Sequence, residues 1–313
     1  MLERATCSLR VARIGSFAQR FLASRRTASV AALFQRSMYL EAEADIICIG
    51  GASIGDGPLN ALIDCDEGLD WLSLVGAPGA VATIEAGTVR LGALALDTAR
   101  AITWAPAAWP CPGRPAAVQA AIRAVVEIAS ARAPAEGLAR PALSPHAIAQ
   151  PSTPLERVAV PRLDALVSWL EQSPRRLGQV QRDPTSQPPT ALLGLGPGLT
   201  PSGDDLLCGA LIALDAMARH DERAALAHTV LAHAPQATTL LSARFLAAAA
   251  EGQGHAVLHE FIAALVAGDA VALPSTMAAL GRIGHSSGWD ALAGAVLAVK
   301  AWAAVALQPT QSP

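Results

Sequence analysis

GLGPGLTPSGDDLLCG, residues 194–209, divides the chain into two kinds of sequence. C-terminal to this stretch the chain reads almost wholly as helix, and far N-terminal to it the chain reads as strands. Glycines at 194, 196, 198 and 203 allow positive φ and let a ligand approach the backbone without meeting a Cβ. Thr200-Pro201 suits an N-cap and first helical turn, and Ser202 with Asp205 has the spacing of a capping box. A helix is therefore expected to start near 200–203, with its unpaired amides and positive dipole end facing whatever the loop encloses. Asp204 and Asp205 would repel an anion there unless they sit to one side, bind a cation, or accept the N–H groups of an amide. The plainer alternative is a glycine-rich turn before an ordinary capped helix. No Gly-Lys-Ser/Thr comes after the loop, and no G-x-G-x-x-G opens the helix, so neither a nucleotide P-loop nor a dinucleotide fingerprint is present.

Downstream, apolar periodicity predicts helices at about 204–219, 222–233, 236–250, 255–267, 270–282 and 288–306, with Gly252, Gly254 and Gly268 as breakers. Upstream, Val30–Leu40 alternates like a strand, and Asp45–Gly50 is a short buried strand running into GGASIGDGP, residues 50–58. Asn60–Asp64, Val81–Glu85 and Thr88–Leu96 are further strands, the last two joined by a hairpin turn at Ala86-Gly87. Ile14, Phe17, Ala18 and Phe21 recur at helical spacing and predict a leading amphipathic helix. Between the halves lie ten of the 22 prolines, from Pro134 to Pro189. They limit regular structure to helices at Ala116–Arg132 and Pro161–Gln172 and leave a loop at Gly178–Pro189. The expected fold is α+β. A small strand-rich, barrel-like domain (1–112) leads through a proline-rich connection (113–190) to an all-helical domain (191–313).

A net charge of −3 and 4% aromatic residues advertise no surface for nucleic acid. The longest apolar run, Ala291–Leu307, is interrupted by Lys300, which speaks against a membrane span. Cysteines at 7, 48, 65, 111 and 208 have no metal-ligand spacing and fit a reducing, cytoplasmic setting. Residues 1–28 carry six arginines against one acid but no apolar signal core, so a surface helix or partner-facing arm is expected rather than an export signal.

Two more polar clusters interrupt the apolar helical half. Thr238, Thr239 and Ser242 open a helix and place hydroxyls one turn apart, either as caps or as substrate contacts. GRIGHSSGWDALAG, residues 281–294, sets His285, Ser286 and Ser287 in a glycine-bounded turn, with Asp290 in the next helical turn. Histidine can act as acid, base or oxyanion donor near neutrality, although a lone turn histidine is more often solvated. A hydrolase triad is disfavoured because no G-x-S-x-G elbow occurs.

These stretches, together with TTLLSARFLAAAAEG (238–252), resemble the AllH family, subunits of oxamate carbamoyltransferase in allantoin catabolism. VAALFQRSMYL (30–40) and GGASIGDGPLNALID (50–64) look like that family's first domain. The resemblance spans roughly 28–110 and 190–306, with Leu206 standing where an aromatic is expected. It implies carbamoyl exchange between carbamoyl phosphate and oxamate, running in catabolism as phosphorolysis of oxalurate, within a hetero-oligomer of different subunits. It certifies no catalytic residue.

Laid over that reaction, Asp204, Asp205 and His285 are the candidate catalytic groups. Gly196, Gly198, Thr200, Ser202, Gly203, Thr239, Ser242, Ser286, Ser287 and Asp290 are the candidate substrate contacts. The scarcity of arginine, with only Arg244 and Arg282 near the motifs, favours a site completed by another subunit. No organic cofactor is expected, though a monovalent or divalent cation would offset the substrates' charge. The other readings are a non-catalytic assembly subunit and a metal-dependent hydrolase using Asp204, Asp205 and Asp290. A mechanism of either catalytic kind requires residues near 200, 240 and 287 to line one shared hollow.

Overall fold

The computed structural model describes residues 7–65, 69–144, 153–171 and 189–306. The chain forms two compact units that divide after Pro106.

The first unit begins with strand β1 (Cys7–Gly15) and helix α1 (Ser16–Ser24), and continues through β2 (Thr27–Leu33), β3 (Ser37–Ala42) and β4 (Asp45–Gly50). After a 3-10 turn at Ala52–Ile54 come β5 (Asn60–Ile63), helix α2 (Trp71–Val75), β6 (Val81–Glu85), β7 (Thr88–Leu91), β8 (Leu94–Asp97) and β9 (Ile102–Trp104). Hydrogen bonding runs β5-β4-β3-β2-β6-β7-β8-β1 and closes through an antiparallel β1–β5 pair, giving an eight-stranded barrel. Closure depends on β1, which bulges between Val11 and Arg13. Its first half pairs with β8, and its last residues pair with β9. A bulge bends a strand and increases its twist, which is what closing a short sheet requires. Met38, Leu40, Ile47, Ile49, Leu91, Leu94 and Leu96 fill the barrel's core.

Several sequence expectations need adjustment here. Val30–Leu40 is not one strand: Phe34 N–H donates to Ser37 O at 2.8 Å, turning the chain between β2 and β3. Thr88–Leu96 is likewise broken, at Gly92, whose φ of +58° makes the turn into β8. Phe17, Ala18 and Phe21 are buried on α1 as periodicity suggests, but Ile14 belongs to β1. The arginine-rich segment is part of the barrel from residue 7 onward. Arg10 pairs with Asp64 (2.9 Å), Arg13 with Asp56 (2.7 Å), and Arg25 with Glu43 (2.7 Å) and Asp45 (2.8 Å). GGASIGDGP is an internal connection in which the Asn60 amide donates to Gly55 O at 2.9 Å.

The second unit contains α3 (Pro115–Arg132), α4 (Ala139–Leu143), α5 (Pro154–Glu171), a 3-10 turn (Pro189–Leu192), α6 (Ser202–Ala216) and α7 (His220–Ala237). It ends with α8 (Leu240–Ala250), α9 (Ala256–Ala267), α10 (Leu273–Leu280) and α11 (Ser287–Ala306). α5 starts well before the apolar stripe suggests, at Pro154 rather than Pro161. Thr153 and Glu156 form a reciprocal capping box, with both bonds at 3.1 Å. The expected loop at 178–189 lies outside the described residues, except for Pro189. α3, α4 and α5 contribute Val118, Leu143 and Leu166 to the same core as α6 and α11.

At the centre, α6 is buried along its length except at Asp205 and Asp215. Such all-round burial marks a core helix rather than an amphipathic surface one. Its neighbour is α11, and glycines set their separation. A Cβ on Gly209 would lie 1.8 Å from Ala291 O, and one on Gly294 would lie 1.8 Å from Leu206 O. Each helix therefore presses its backbone directly against the other. Among the described residues, no helix is long and apolar enough to cross a membrane.

Candidate functional site

The three polar motifs meet around the start of α6. Thr239 caps α8, accepting from Ser242 N–H at 3.1 Å, while its own hydroxyl donates to Leu199 O in the glycine-rich loop. Thr200 and Ser287 hydroxyls bond each other at 2.9 Å, joining that loop to the start of α11. Residues near 200, 240 and 287 thus form one constellation.

Within it the three aspartates have different situations. Asp204 is fully buried and saturated. Its Oδ1 accepts from Gly194 N–H at 2.8 Å, and its Oδ2 accepts from the hydroxyls of Thr238 and of Ser242 (2.7 Å). Burial raises its pKa, and these three donors pull it back without cancelling the rise. Asp204 is a tie between the loop, the end of α7 and α8. The α6 cap also differs from expectation: the N-cap is Pro201, with no side-chain cap bond, and Thr200 turns to Ser287 instead.

Asp205 lies on another side of the same turn. Burial and the charge of Asp290 are the main causes that hold it well above the usual carboxylate range, against the nearby hydroxyls of Ser287 and Thr200. Its Oδ2 is buried without a hydrogen-bond partner among the described residues.

Asp290 is 0% exposed. Its Oδ1 accepts from Leu138 N–H at 2.6 Å and Ala139 N–H at 2.9 Å, so it caps α4 from 152 residues away in sequence. Ser287 and Asp290 have the three-residue spacing of a capping box, but the Asp290 Oδ1 is taken by the α4 amides instead. Burial pushes Asp290 up to about 6, although the two amides and the hydroxyls of Ser202 and Ser286 oppose the shift. Its Oδ2 also lacks a hydrogen-bond partner among the described residues.

His285 lies at the surface. Its side chain is 77% exposed and its Nε2 lies 3.3 Å from Glu136 Oε2 at the surface. Gly203 has a packing role, because a Cβ there would lie 2.0 Å from Leu192 O. Gly196 has φ +117° and passes close over Ser202, whereas Gly198 (φ +100°) faces open space. Among the described residues, none accepts from the amides of Gly196, Gly198, Leu199 or Thr200. Arg282 is exposed and donates to Ala278 O at 3.1 Å, away from the constellation.

Sequence reasoning missed the wall formed by residues 136–139. Gly137 has φ +91°, and a Cβ there would lie 2.8 Å from both Asp290 oxygens and from Ser286 Cβ. The one available signal was a glycine in a stretch of alanines and prolines, and nothing in the sequence links it to Asp290. Arg162 was also missed; it steadies the approach to the loop by donating to Ala191 O at 2.9 Å.

Asp204, Asp205 and Asp290 do not form a metal-ligand triad, because Asp204 is consumed by its own three donors. Among the described residues, no three His, Cys, Asp or Glu side chains gather to hold a metal ion. The three aspartates named in the hydrolase reading thus have separate partners: Asp204 the donors of the loop and α8, and Asp290 the amides of α4.

What remains is a helical unit in which the starts of α6 and α11 are joined through the Thr200–Ser287 hydroxyl bond, with Asp205 and Asp290 in their first turns. Residues 192–299, all inside that unit, match the family model described as oxamate carbamoyltransferase subunit AllH. The resemblance read from the motifs is borne out over those residues. No curated protein and no solved structure matches the chain.

Proposed function

We propose that this chain is a subunit of a carbamoyltransferase, and that the start of α6 and α11 binds the small anionic amide substrates of oxalurate phosphorolysis. The observation that carries the proposal is the meeting of the three motifs of the family match at one place, built from hydroxyls, free amides and a carboxylate with an unsatisfied oxygen. Loop amides at 196–200 suit phosphate or carboxylate oxygens, since unpaired N–H groups at a helix start favour negative charge. The hydroxyl pair Thr200–Ser287 is placed to donate to a carbamoyl carbonyl as charge builds on its oxygen. Asp205 either accepts the N–H groups of the oxamate amide or holds a cation that offsets the substrates' charge, roles closed to Asp204 by its three existing donors. His285, at the rim beside Glu136, orients or admits substrate rather than reacting with it.

The scarcity of arginine in the motifs supports a site shared with a different subunit. That reading makes the test one of the assembled complex. With its partner subunits, the Asp205→Asn chain should lose about a hundredfold or more in oxalurate phosphorolysis. A Glu136→Gln chain should stay within about threefold. Near-normal turnover by the Asp205→Asn complex would remove this site from the reaction and leave the chain an assembly subunit.

A further inference from the structure

We infer that Asp205 and Asp290 together form a site for one hard divalent cation, of the Mg²⁺ or Mn²⁺ class, between the first turns of α6 and α11. The inference extends the function proposed above, which supplies the anions that would complete the ion's shell.

The placement comes from the helix seam. Thr200 bonds Ser287 at one end of it, and Leu206 O presses on Gly294 further along. Asp205 and Asp290 lie between these two fixed points in sequence, one on each of the two packed helices. Two amides hold Asp290 Oδ1, and Oδ2 is left without a donor among the described residues. That oxygen belongs to a fully buried side chain and is unpartnered among the described residues, as is Asp205 Oδ2. Two buried carboxylate oxygens without donors are costly unless something positive lies between them.

The donor set selects the kind of ion. The described surroundings are carboxylates and the hydroxyls of Thr200, Ser202, Ser286 and Ser287, all hard oxygens. Two carboxylates balance a divalent charge. Two protein ligands are also enough for Mg²⁺, which keeps waters and is commonly completed by substrate phosphate rather than by a full protein cage. The site therefore differs from a three-carboxylate cage, and it excludes Asp204.

Two other polar clusters among the described residues are already partnered. The Trp109–His259 stack with Asp215 is held by internal bonds, Trp109 donating to Asp215 at 2.9 Å and Gly254 N–H to His259 at 3.0 Å. Tyr39 and Cys48 partner each other in the barrel. Leu199 and Val271 are exposed apolar residues with nothing in the structure to say what covers them.

The test uses the full chain, stripped with chelator, and Mn²⁺ as the probe. Titration monitored by electron paramagnetic resonance and calorimetry at neutral pH should show about one Mn²⁺ per chain, displaced by Mg²⁺. Asp205→Asn should weaken binding about tenfold or more while keeping its far-ultraviolet circular dichroism. Ser287→Ala, which removes only a neutral oxygen, should weaken it by less than that. Stoichiometric Mn²⁺ binding that Asp205→Asn leaves unchanged would overturn the assignment. So would no binding at all, or an equal thermal-shift response to K⁺ at matched ionic strength. These outcomes read the ion alone, so a failure here leaves the carbamoyl-transfer assay of the complex standing as a separate result.

Discussion

The chain should respond to pH through Asp290 in a way that a single substitution reveals. Its carboxyl has a folded pKa of about 6, above the ordinary 3.8. For an acid raised on folding, the native state holds the proton where the unfolded chain has lost it. Stability is therefore greatest below 3.8 and falls as pH rises through about 6. At roughly 1.4 kcal/mol per pH unit, the full difference is about 3 kcal/mol, of which about 2 kcal/mol lies between about pH 4.5 and 7.5. Other groups titrate in the same window. His259, buried against Trp109 and lowered to about 4, acts oppositely, because the unfolded chain gains a proton that the native ring refuses. Comparison with Asp290→Asn cancels the contributions of groups that Asp290 does not act on, such as His259; Asp205, which the Asp290 charge raises, shifts down in the variant. The asparagine keeps the oxygen that accepts from Leu138 and Ala139 and carries no charge. In chelator, with tryptophan fluorescence reporting urea unfolding, the stability of Asp290→Asn relative to the parent should increase by about 2 kcal/mol from acid to neutral pH. A difference that stays flat across that range would refute the burial argument for Asp290. Mn²⁺ added to the parent at neutral pH should recover part of the same energy, because the ion replaces the missing proton.

Asp204→Ala should cost the helical unit about 3–6 kcal/mol, since it strands one amide and two hydroxyls in the core; a loss under about 1 kcal/mol in the same unfolding assay would show that the tie is redundant. Gly209→Ala forces a methyl group onto a carbonyl and should destabilise by at least about 3 kcal/mol, whereas Gly51→Ala in the barrel, with open space where its Cβ would stand, should change little, as differential scanning calorimetry would show. Gly137→Ala meets both positive φ and the Asp290 carboxylate, so it should weaken Mn²⁺ binding even if the protein stays folded; unchanged affinity would detach the 136–139 turn from the site.

The barrel and the helical unit were visible in the sequence because their patterns are local. Alternation in Val81–Glu85 and all-round apolarity in α6 each show in a few residues. The turn from β2 into β3 is marked only by the consecutive polar residues Gln35, Arg36 and Ser37, which break an alternation that otherwise runs from Val30 to Leu40. What sequence could not give was β1, whose arginines masked a strand that pairs on both sides. In the site, the meeting of residues near 200, 240 and 287 was legible because glycines and hydroxyls cluster at helix starts. The division of labour among the aspartates was not. Asp204 and Asp205 are neighbours in sequence, yet a rotation of about 100° per residue sends one into three donors and the other toward α11. His285 draws attention by its residue type, and its exposure beside Glu136 has no local signature. The contact of Asp290 with Leu138 and Ala139 has no local signature.

At the two glycine crossings no side chain separates α6 from α11, so this seam acts as a fixed bearing rather than a hinge. Any gate to the aspartates must then be made by the loops above the seam, at 196–200 and 283–286, while the span between the two acids keeps its gauge. A site ruled by such a gauge discriminates by what fits the opening. Changes of preference during evolution would fall on the loop residues and leave the glycines in place.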